Sequence, residues 1–345
     1  MIELKDDGLL FTFPEVHPGA ELRIELQRTL RIPDDDKAYP LPPGFGPFPM
    51  RHVDDFAERV PREWVEHGGV MLPMYQSEAL WLHFQGTYLE DHETTYPFAI
   101  KVAAGKINAA TGDAWSSGLH RDPQDYLYVP GQPWLDGYCV EKGFIRQFVA
   151  MPLGAGYTAE EQLTGKAEHG GLQLIVYPMK REVFERRFPK VERKVRERYH
   201  EFADMDAMAV PCAAAPSPAM GLAPGGRMRQ EIYADVFELA DWDAASSRCF
   251  VHLANSLVWR GITGENPPTT PPTAKEYARA GLPWFDYYGE GAKAVEGSSL
   301  LGKLKSVFAL GQEKGAAPLP ENESVSPEKV IHLKGKPGQV REGDF

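Results

Sequence analysis

The sequence predicts a β-rich α+β protein, an antiparallel sandwich or distorted barrel with a few peripheral helices and a flexible C-terminal tail. Short segments in which apolar and polar residues alternate recur along the chain, and turn residues separate them. Turn formers are abundant, with 33 glycines and 30 prolines among 345 residues, which argues against a helical bundle. Segments with helical spacing are few, so strands must build most of the core.

Strand patterns fill the first half of the chain. In "ELRIELQRTLRI", Leu22, Ile24 and Leu26 fall on one face, and Arg23 and Glu25 fall on the other. The segments "EALWLHFQ", "PFAIKVAAGKINAA", "DYLYV", "GYCV", "IRQFVAM" and "LQLIVYP" continue the pattern. Gly, Pro or Asp bounds each of them, as expected for strands joined by tight turns.

Three segments predict helices. "DDFAERVPREWVEH" can begin with Asp54 or Asp55 as its N-cap and end at a glycine pair. "PKVERKVRERYHEF" begins at Pro189 and carries an apolar stripe at helical spacing. "SSLLGKLKSVFALG" predicts an amphipathic helix over residues 298–311.

The predicted domain organisation is one β-rich globular domain over residues 1–297. An internal boundary, if there is one, falls near 205–225, where "AVPCAAAPSPAMGLAPGG" is rich in Ala, Pro and Gly. The amphipathic helix at 298–311 follows the domain, and residues 312–345 predict a flexible tail. A chain of 345 residues is long enough to bury a substantial core.

Composition narrows the classes of partner. The net charge of −12 disfavours nucleic acid, because phosphates would be repelled. No apolar run is long enough to cross a bilayer, and no secretory signal is visible, so a soluble cytoplasmic protein is expected. Cys139, Cys212 and Cys249 lack CxxC spacing, so neither a disulfide framework nor a zinc ribbon is predicted. No metal and no cofactor are predicted.

The tetrapeptide EHGG occurs twice, at residues 66–69 and 168–171. A histidine in the last turn of a helix, followed by glycines that can adopt positive φ, is typical of a helix end before a strand. Both copies are therefore interpreted as structural punctuation. The functional question left open is whether His169, and not His67, faces a pocket lined by arginine.

One segment predicts an anion site. In "GLAPGGRMRQ", Gly225 and Gly226 could expose backbone N–H groups in a loop, and Arg227 and Arg229 could hold a phosphate or carboxylate. The alternative is a glycine turn leading into a strand, with the arginines on its solvated face. A small anionic ligand is therefore one hypothesis.

Two aromatic-rich segments are further candidates. "VPGQPWLDGY" contains Trp134 and Tyr138, and "GLPWFDYYGE" contains Trp284. If exposed, these rings would form a stacking surface for a ligand or protein partner, and if buried they are large core anchors. "YPLPPGFGPFP" could brace a loop or present polyproline II to a partner.

The favoured function is non-catalytic: binding of a partner or small ligand through loops at one end of a sheet. The leading alternative is a hydrolase or transferase acting on an anionic substrate, with His169 beside Glu168, or else His120, as the proton-transfer group. A third hypothesis is a self-assembling subunit, a homo-oligomer held through the C-terminal helix. The sequence alone does not decide whether the protein is an enzyme.

Overall fold

The computed structural model describes residues 1–35, 37–191, 219–288, 292–316, 323–327 and 329–334. It is strand-rich, with 39% strand and 17% helix, which confirms the predicted β-rich α+β class. The strands are, in chain order, β1 Ile2–Lys5, β2 Gly8–Thr12, β3 Glu21–Thr29, β4 Ala38–Tyr39, β5 Gly44–Pro47, β6 Arg51–His52, β7 Val70–Met74, β8 Ala79–Gly86, β9 Tyr88–Leu89, β10 Thr94–Thr95, β11 Phe98–Ala104, β12 Ile107–Asn108, β13 Leu127–Val129, β14 Trp134–Leu135, β15 Gly137–Glu141, β16 Phe144–Pro152, β17 Leu172–Pro178, β18 Ala219–Arg229, β19 Ser247–Asn255, β20 Trp284–Tyr288 and β21 Val330–Lys334.

The helices of the described residues are short and lie between strands. They are α1 Arg62–His67, α2 Ala159–Thr164, α3 Arg181–Arg187, α4 Ser256–Thr263, α5 Ala274–Arg279, α6 Ser299–Gly302 and α7 Val307–Glu313. Two 3-10 turns, at Asp54–Phe56 and Leu239–Asp241, complete the helical structure. None of the helices in the described part of the chain is long and apolar enough to cross a membrane.

Seventeen strands join one large sheet. Ten of these strands form a continuous series in which each pairs with the next in antiparallel orientation, in the order β1–β2–β3–β8–β16–β18–β19–β17–β11–β13. The sheet does not close into a barrel. Two parallel pairings, of β7 with β19 and of β4 with β18, add short strands to this path.

The core lies where apolar side chains of these strands meet. Leu22, Ile24 and Leu26 of β3 are fully buried, as their alternation predicts. Every residue of β11 and of β17 is buried, so these strands are covered on both faces and their sequences are nearly continuous apolar runs. Phe148 of β16 packs edge-on against Tyr138, with ring centroids 4.8 Å apart.

The C-terminal part differs from the prediction in two ways. The helix expected over 298–311 is split into α6 and α7, because Ser298 and Ser306 each cap a new helix N-terminus. Leu301 and Val307 are buried in the chain's own core, which weakens the hypothesis of self-assembly through this segment. Part of the predicted flexible tail is a strand, since β21 pairs in parallel with β20.

Two other predicted elements are altered or lie outside the described residues. The first predicted helix is a 3-10 turn followed by α1, with Pro61 as the N-cap residue of α1. Most of the helix predicted from Pro189 lies outside the described residues, as does the predicted boundary up to residue 218. From residue 219 the segment that looked like a loop or linker is the long strand β18.

Candidate functional site

The two EHGG copies meet on opposite sides of one strand. The first copy leads into β7, whose Val70 lies opposite Val251 of β19 in parallel register. The second copy leads into β17, whose Leu172 lies opposite the same Val251 in antiparallel register. The repeated tetrapeptide therefore marks the two places where a turn delivers a strand to β19.

The glycines are required by backbone geometry. Gly68 has φ 62° and ψ −155°, a region that is essentially open to glycine alone. A Cβ on Gly69 would lie 2.1 Å from the Phe250 carbonyl oxygen, and one on Gly171 would lie 2.5 Å from the Val251 carbonyl oxygen. The first copy is thus the predicted helix end, whereas the prediction is wrong for the second copy, because α2 already ends at Gly165 and His169 lies in the turn that follows. In both copies a glycine is also required by the close approach to β19.

The histidines beside these glycines form part of an aromatic stack. The His67 ring lies 4.7 Å from Phe250, Phe250 lies 4.4 Å from His252, and His252 lies 4.8 Å from Trp64, all as centroid distances. The His67 and His169 rings are 6.2 Å apart. No group of three His, Cys, Asp or Glu side chains in the described ranges could hold a metal ion.

His252 is the structural histidine of this stack. It is buried, and its Nε2–H donates a hydrogen bond to the Gly68 carbonyl oxygen at 3.0 Å. Burial lowers the pKa of His252 to about 4, with a further contribution from His67. The ring is therefore neutral at physiological pH and fixes the end of α1 to β19.

The charged groups near His169 are Lys106, Glu160, Glu168 and His67. Burial lowers the pKa of His169, as does the nearby Lys106, while Glu160 and Glu168 act in the opposite direction. No arginine is among the charged groups that shift its pKa in the described part of the chain. Glu168 is exposed and pairs with Lys166 at 3.0 Å. In these contacts, the predicted proton-transfer pair of Glu168 and His169 therefore has no neighbouring group that would bind a substrate.

The second EHGG turn already holds a carboxylate of the chain itself. Oε1 of the buried Glu160 accepts hydrogen bonds from the backbone N–H groups of Glu168 and His169, both at 2.9 Å. Its Oε2 accepts one from the Gly170 N–H at 2.8 Å. Converging backbone N–H groups make an anion-binding nest, and here the anion is internal.

The low pKa of His252 predicts a specific acid sensitivity. Between pH 6.5 and about 4 the unfolded histidine binds a proton that the folded one does not, so stability is present above pH 6.5 and is lost as the pH falls through this window. Between pH 6.5 and 5, we expect the free energy of unfolding to decrease by up to about 2 kcal/mol less in His252→Gln than in the natural chain.

The measurement is urea denaturation across that pH range, and His52→Gln, at an exposed histidine, is the matched control. An unchanged slope in His252→Gln would show that His252 is not the titrating group.

A second cluster lies at the predicted residue His120. Lys101 of β11 is buried, and its Nζ donates to Asp125 Oδ2 at 2.7 Å and to the Gly118 and Ser116 carbonyl oxygens at 2.6 and 2.9 Å. Asp125 Oδ2 also accepts from His120 Nδ1 at 2.7 Å. A buried ion pair of this kind is tolerated because hydrogen bonds satisfy both partners.

This arrangement fixes the tautomer of His120. Since a carboxylate only accepts, the Nδ1–H of the neutral ring points at Asp125, and Nε2 carries the lone pair. The His120 side chain is 62% exposed, whereas that of Asp125 is 10% exposed. A buried aspartate that orients an accessible imidazole is the geometry of a general base.

The predicted glycine loop of the anion site is a buried strand. Gly225 and Gly226 lie inside β18. A Cβ on Gly225 would lie 2.4 Å from Val149 Cγ2, and one on Gly226 would lie 2.4 Å from the Pro33 carbonyl oxygen. These glycines therefore serve close packing of β18 and expose no backbone nest to a ligand.

The two arginines of the same segment have acidic partners within the chain. Arg227 pairs with Glu141 and lies over the Phe144 ring, 4.0 Å from its centroid. Arg229 pairs with Asp286 at 3.4 Å. The predicted anion clamp is thus not formed by free guanidinium groups. The pattern of glycines and arginines could not reveal these partners, which come from distant segments.

The described part of the chain contains a cavity of about 210 Å³, here called the aromatic pocket. It is lined by Leu41, Pro42, Pro43, Gly44, Trp81, Trp134, Asp136 and Phe285. Three segments that the sequence singled out separately, "YPLPPGFGPFP", "VPGQPWLDGY" and "GLPWFDYYGE", contribute to it. The pocket therefore joins features that were predicted only as unrelated loops.

Strand pairing brings the pocket's rings together. Trp134 of β14 lies opposite His83 of β8, and Trp81 is two residues away on the same face of β8. Phe285 is tied to the proline segment by two backbone hydrogen bonds with Leu41, at 2.8 and 2.9 Å. Trp81 and Trp134 are thus held by the large sheet, and Phe285 is held by β20 and its bridge to Leu41.

Of Trp134, Tyr138 and Trp284, only Trp134 lines the pocket, and Phe285 of the second aromatic segment lines it as well. Trp134 is half-buried there, whereas Trp284 and Tyr138 are fully buried core residues. The Tyr138 hydroxyl donates to the Leu222 carbonyl oxygen at 3.0 Å. The sequence reasoning missed Trp81, although a tryptophan on the otherwise polar face of "EALWLHFQ" was a signal.

Asp136 is the ionisable residue of the pocket lining and was also missed. Its side chain is buried, and its Oδ2 accepts a hydrogen bond from Gln230 Nε2 at 2.7 Å, while its own N–H donates to Gln230 Oε1 at 3.1 Å. Burial raises the pKa of Asp136 to about 7. Among the described residues, no Lys, Arg or His pairs with this carboxyl group.

The raised pKa of Asp136 predicts the opposite pH dependence from that of His252. Between about pH 4 and 7 the folded carboxyl binds a proton that the unfolded one has lost, so stability falls as the pH rises through this window. Asp136→Asn retains an acceptor for Gln230, and we expect it to gain stability relative to the natural chain by up to about 1.4 kcal/mol per pH unit.

Thermal unfolding from pH 5 to 8 measures this difference, with Asp113→Asn, at an exposed acid, as the control. A constant difference between Asp136→Asn and the natural chain would mean that Asp136 titrates normally.

Comparisons with protein-family models, with curated proteins and with solved structures find no match. Three arrangements therefore stand as the candidates: the aromatic stack at the EHGG turns, the Lys101–Asp125–His120 cluster and the aromatic pocket. The first is explained by folding requirements, and the other two have accessible functional groups.

Proposed function

We propose that the protein binds a small organic ligand in the aromatic pocket. The observation that carries the proposal is the convergence of Trp81, Trp134 and Phe285 around a 210 Å³ cavity whose lining also includes the buried Asp136. Ligand sites are concave and mostly apolar, with a few polar groups that fix orientation. This lining has that composition.

The size of the pocket limits what it can hold. Pockets for drug-sized ligands span roughly 300–1,000 Å³, and this cavity is smaller at 210 Å³. The ligand is therefore a small molecule, or one end of a longer molecule. Trp134 and Phe285 are half-buried, so part of each side chain is accessible and part is packed against the chain.

The packing around the pocket favours a site that exists before the ligand arrives. The Trp134 ring packs edge-on against Tyr287, with centroids 4.8 Å apart, and Trp81 lies 5.7 Å from His83. Side chains already held by neighbours lose little conformational freedom on binding, which preserves affinity. The pocket therefore does not need a large rearrangement to bind.

The test is a screen of small cyclic and aromatic compounds by ligand-observed NMR on the full chain. We expect some compounds to show binding signals with the natural chain and to lose them with Trp134→Ala and with Trp81→Ala, because each substitution removes a wall of the cavity. Tyr88→Ala, at an exposed tyrosine outside the pocket, is the matched control and should leave binding unchanged.

Two outcomes would contradict the proposal. One is that no compound of the panel binds to the natural chain. The other is that binding persists in both tryptophan variants, which would place the binding site elsewhere.

A second function, general-base hydrolysis at His120, is supported by the oriented imidazole described above. In this scheme His120 Nε2 takes a proton from water as the water oxygen attacks an ester carbonyl carbon. The tetrahedral intermediate then breaks the bond between its carbon and the alkoxy oxygen, and the imidazolium returns the proton to the departing alkoxide, which leaves the carboxylic acid and the alcohol. Asp125 holds the ring and stabilises the imidazolium.

Its test is hydrolysis of activated esters by the natural chain and by His120→Gln. We expect activity above the buffer rate that falls at least 100-fold in the variant, since general-base catalysis contributes about 10²–10⁴. His52→Gln serves as the control. Equal hydrolysis rates in the natural chain and in His120→Gln would rule out this function.

A further inference from the structure

We propose that the ligand of the aromatic pocket carries a cationic ammonium group, held among the rings of Trp81, Trp134 and Phe285 and balanced by the Asp136 carboxylate. This inference rests on the proposed function and adds the chemical class of the ligand. Two independent features of the lining lead to it: the chemistry of its walls, and the absence of a basic partner for its buried acid.

The walls suit a cation. Two indoles and a phenyl ring contribute to the lining, together with the proline pair Pro42 and Pro43. The face of an aromatic ring is electron-rich, and tryptophan is the best of the three aromatic residues at attracting a cation. Each such contact contributes about 0.5–2 kcal/mol, more when water is excluded. No Lys or Arg lies among the described lining residues to compete for the rings.

The acid of the pocket lacks the partner that comparable acids have. Glu78 pairs with Arg28 at 2.8 Å, and Asp125 pairs with Lys101 at 2.7 Å. Among the described residues, the carboxyl of Asp136, which is just as buried, receives only the Gln230 side-chain N–H. A buried carboxylate without a cation is unfavourable, and a cationic ligand would supply the missing charge.

Proton release accompanies binding under this proposal. The pKa of Asp136 is raised to about 7 by burial, so below that pH the free pocket holds the neutral acid. A cation binds the carboxylate form and displaces the proton. Its affinity should therefore increase up to tenfold per pH unit below pH 7 and level off above it.

Other titratable groups on the surrounding elements must be separated from this effect. They are His83 on β8 with Glu25 on β3, Arg146 on β16 with Asp34, Glu231 after Gln230, and Asp286 on β20 with Arg229. Asp136→Asn leaves all of these unchanged and removes only the carboxyl. The variant therefore isolates the contribution of Asp136 to any pH dependence.

The experiment compares choline with 3,3-dimethylbutan-1-ol, its neutral isostere in which carbon replaces the charged nitrogen. Both are titrated into the full chain at pH 8, with ligand-observed NMR as the readout. We expect choline to bind at least tenfold more tightly than the alcohol. Asp136→Asn should narrow the difference to the smaller preference that the rings alone contribute, while Trp134→Ala should weaken both.

A second measurement needs no variant. Between pH 6 and 7 the affinity of the natural chain for choline should increase several-fold, whereas that for the alcohol should not change. If the alcohol binds as tightly as choline, the cationic class is wrong and the binding function stands. If choline is preferred but neither pH nor Asp136→Asn alters the preference, the balance of the cation by Asp136 is wrong. If neither compound binds but the general panel does, the cationic class is again wrong. If nothing binds at all, the proposed function fails together with it.

Discussion

The fold depends on the backbone pairing of β19. This strand receives β17 and β18 in antiparallel register and β7 in parallel register. Buried backbone groups must be paired, so the neighbours have to approach to hydrogen-bonding distance along its length. At Gly69 and Gly171 only a residue without a Cβ permits that approach. This steric constraint explains why a glycine pair occurs in both EHGG turns.

The aromatic pocket is built at another part of the same sheet. The antiparallel pairing of β3 with β8 places Gln27 opposite Trp81 and Glu25 opposite His83 on the side that does not enter the core. β14 then adds Trp134 beside this face. The apolar side of these strands stabilises the fold, and the opposite side is left free to carry the groups that a ligand would contact.

Much of the fold could be predicted because its signals are local. Alternation in β3 identified the buried Leu22, Ile24 and Leu26, and positive φ at Gly68 follows from its place after a helix. Breaks within helices were harder, because Ser306 is an equally good residue inside a polar face or as an N-cap. The spacing of apolar residues predicted the type of each element, whereas capping residues determined where it begins or ends.

The candidate sites could be predicted only in part, because they depend on which distant segments meet. Trp134 was identified, yet nothing near it in the sequence indicated Trp81 or Phe285 as neighbours. Arg227 was a candidate for binding an anion, but in the fold it pairs with Glu141. Lys101 sits in an apolar run, and its partner Asp125 comes from a turn after the next strand. Sheet order decides these encounters, and it is a property of the whole chain.

The internal carboxylate at the second EHGG turn has a consequence for local opening motions. α2 has only six residues, and a helix so short has little stability of its own. Glu160 connects it to the three successive N–H groups that lead into β17. The helix, the turn and the first residues of β17 should therefore exchange their amide hydrogens as one cooperative unit, protected together or exposed together.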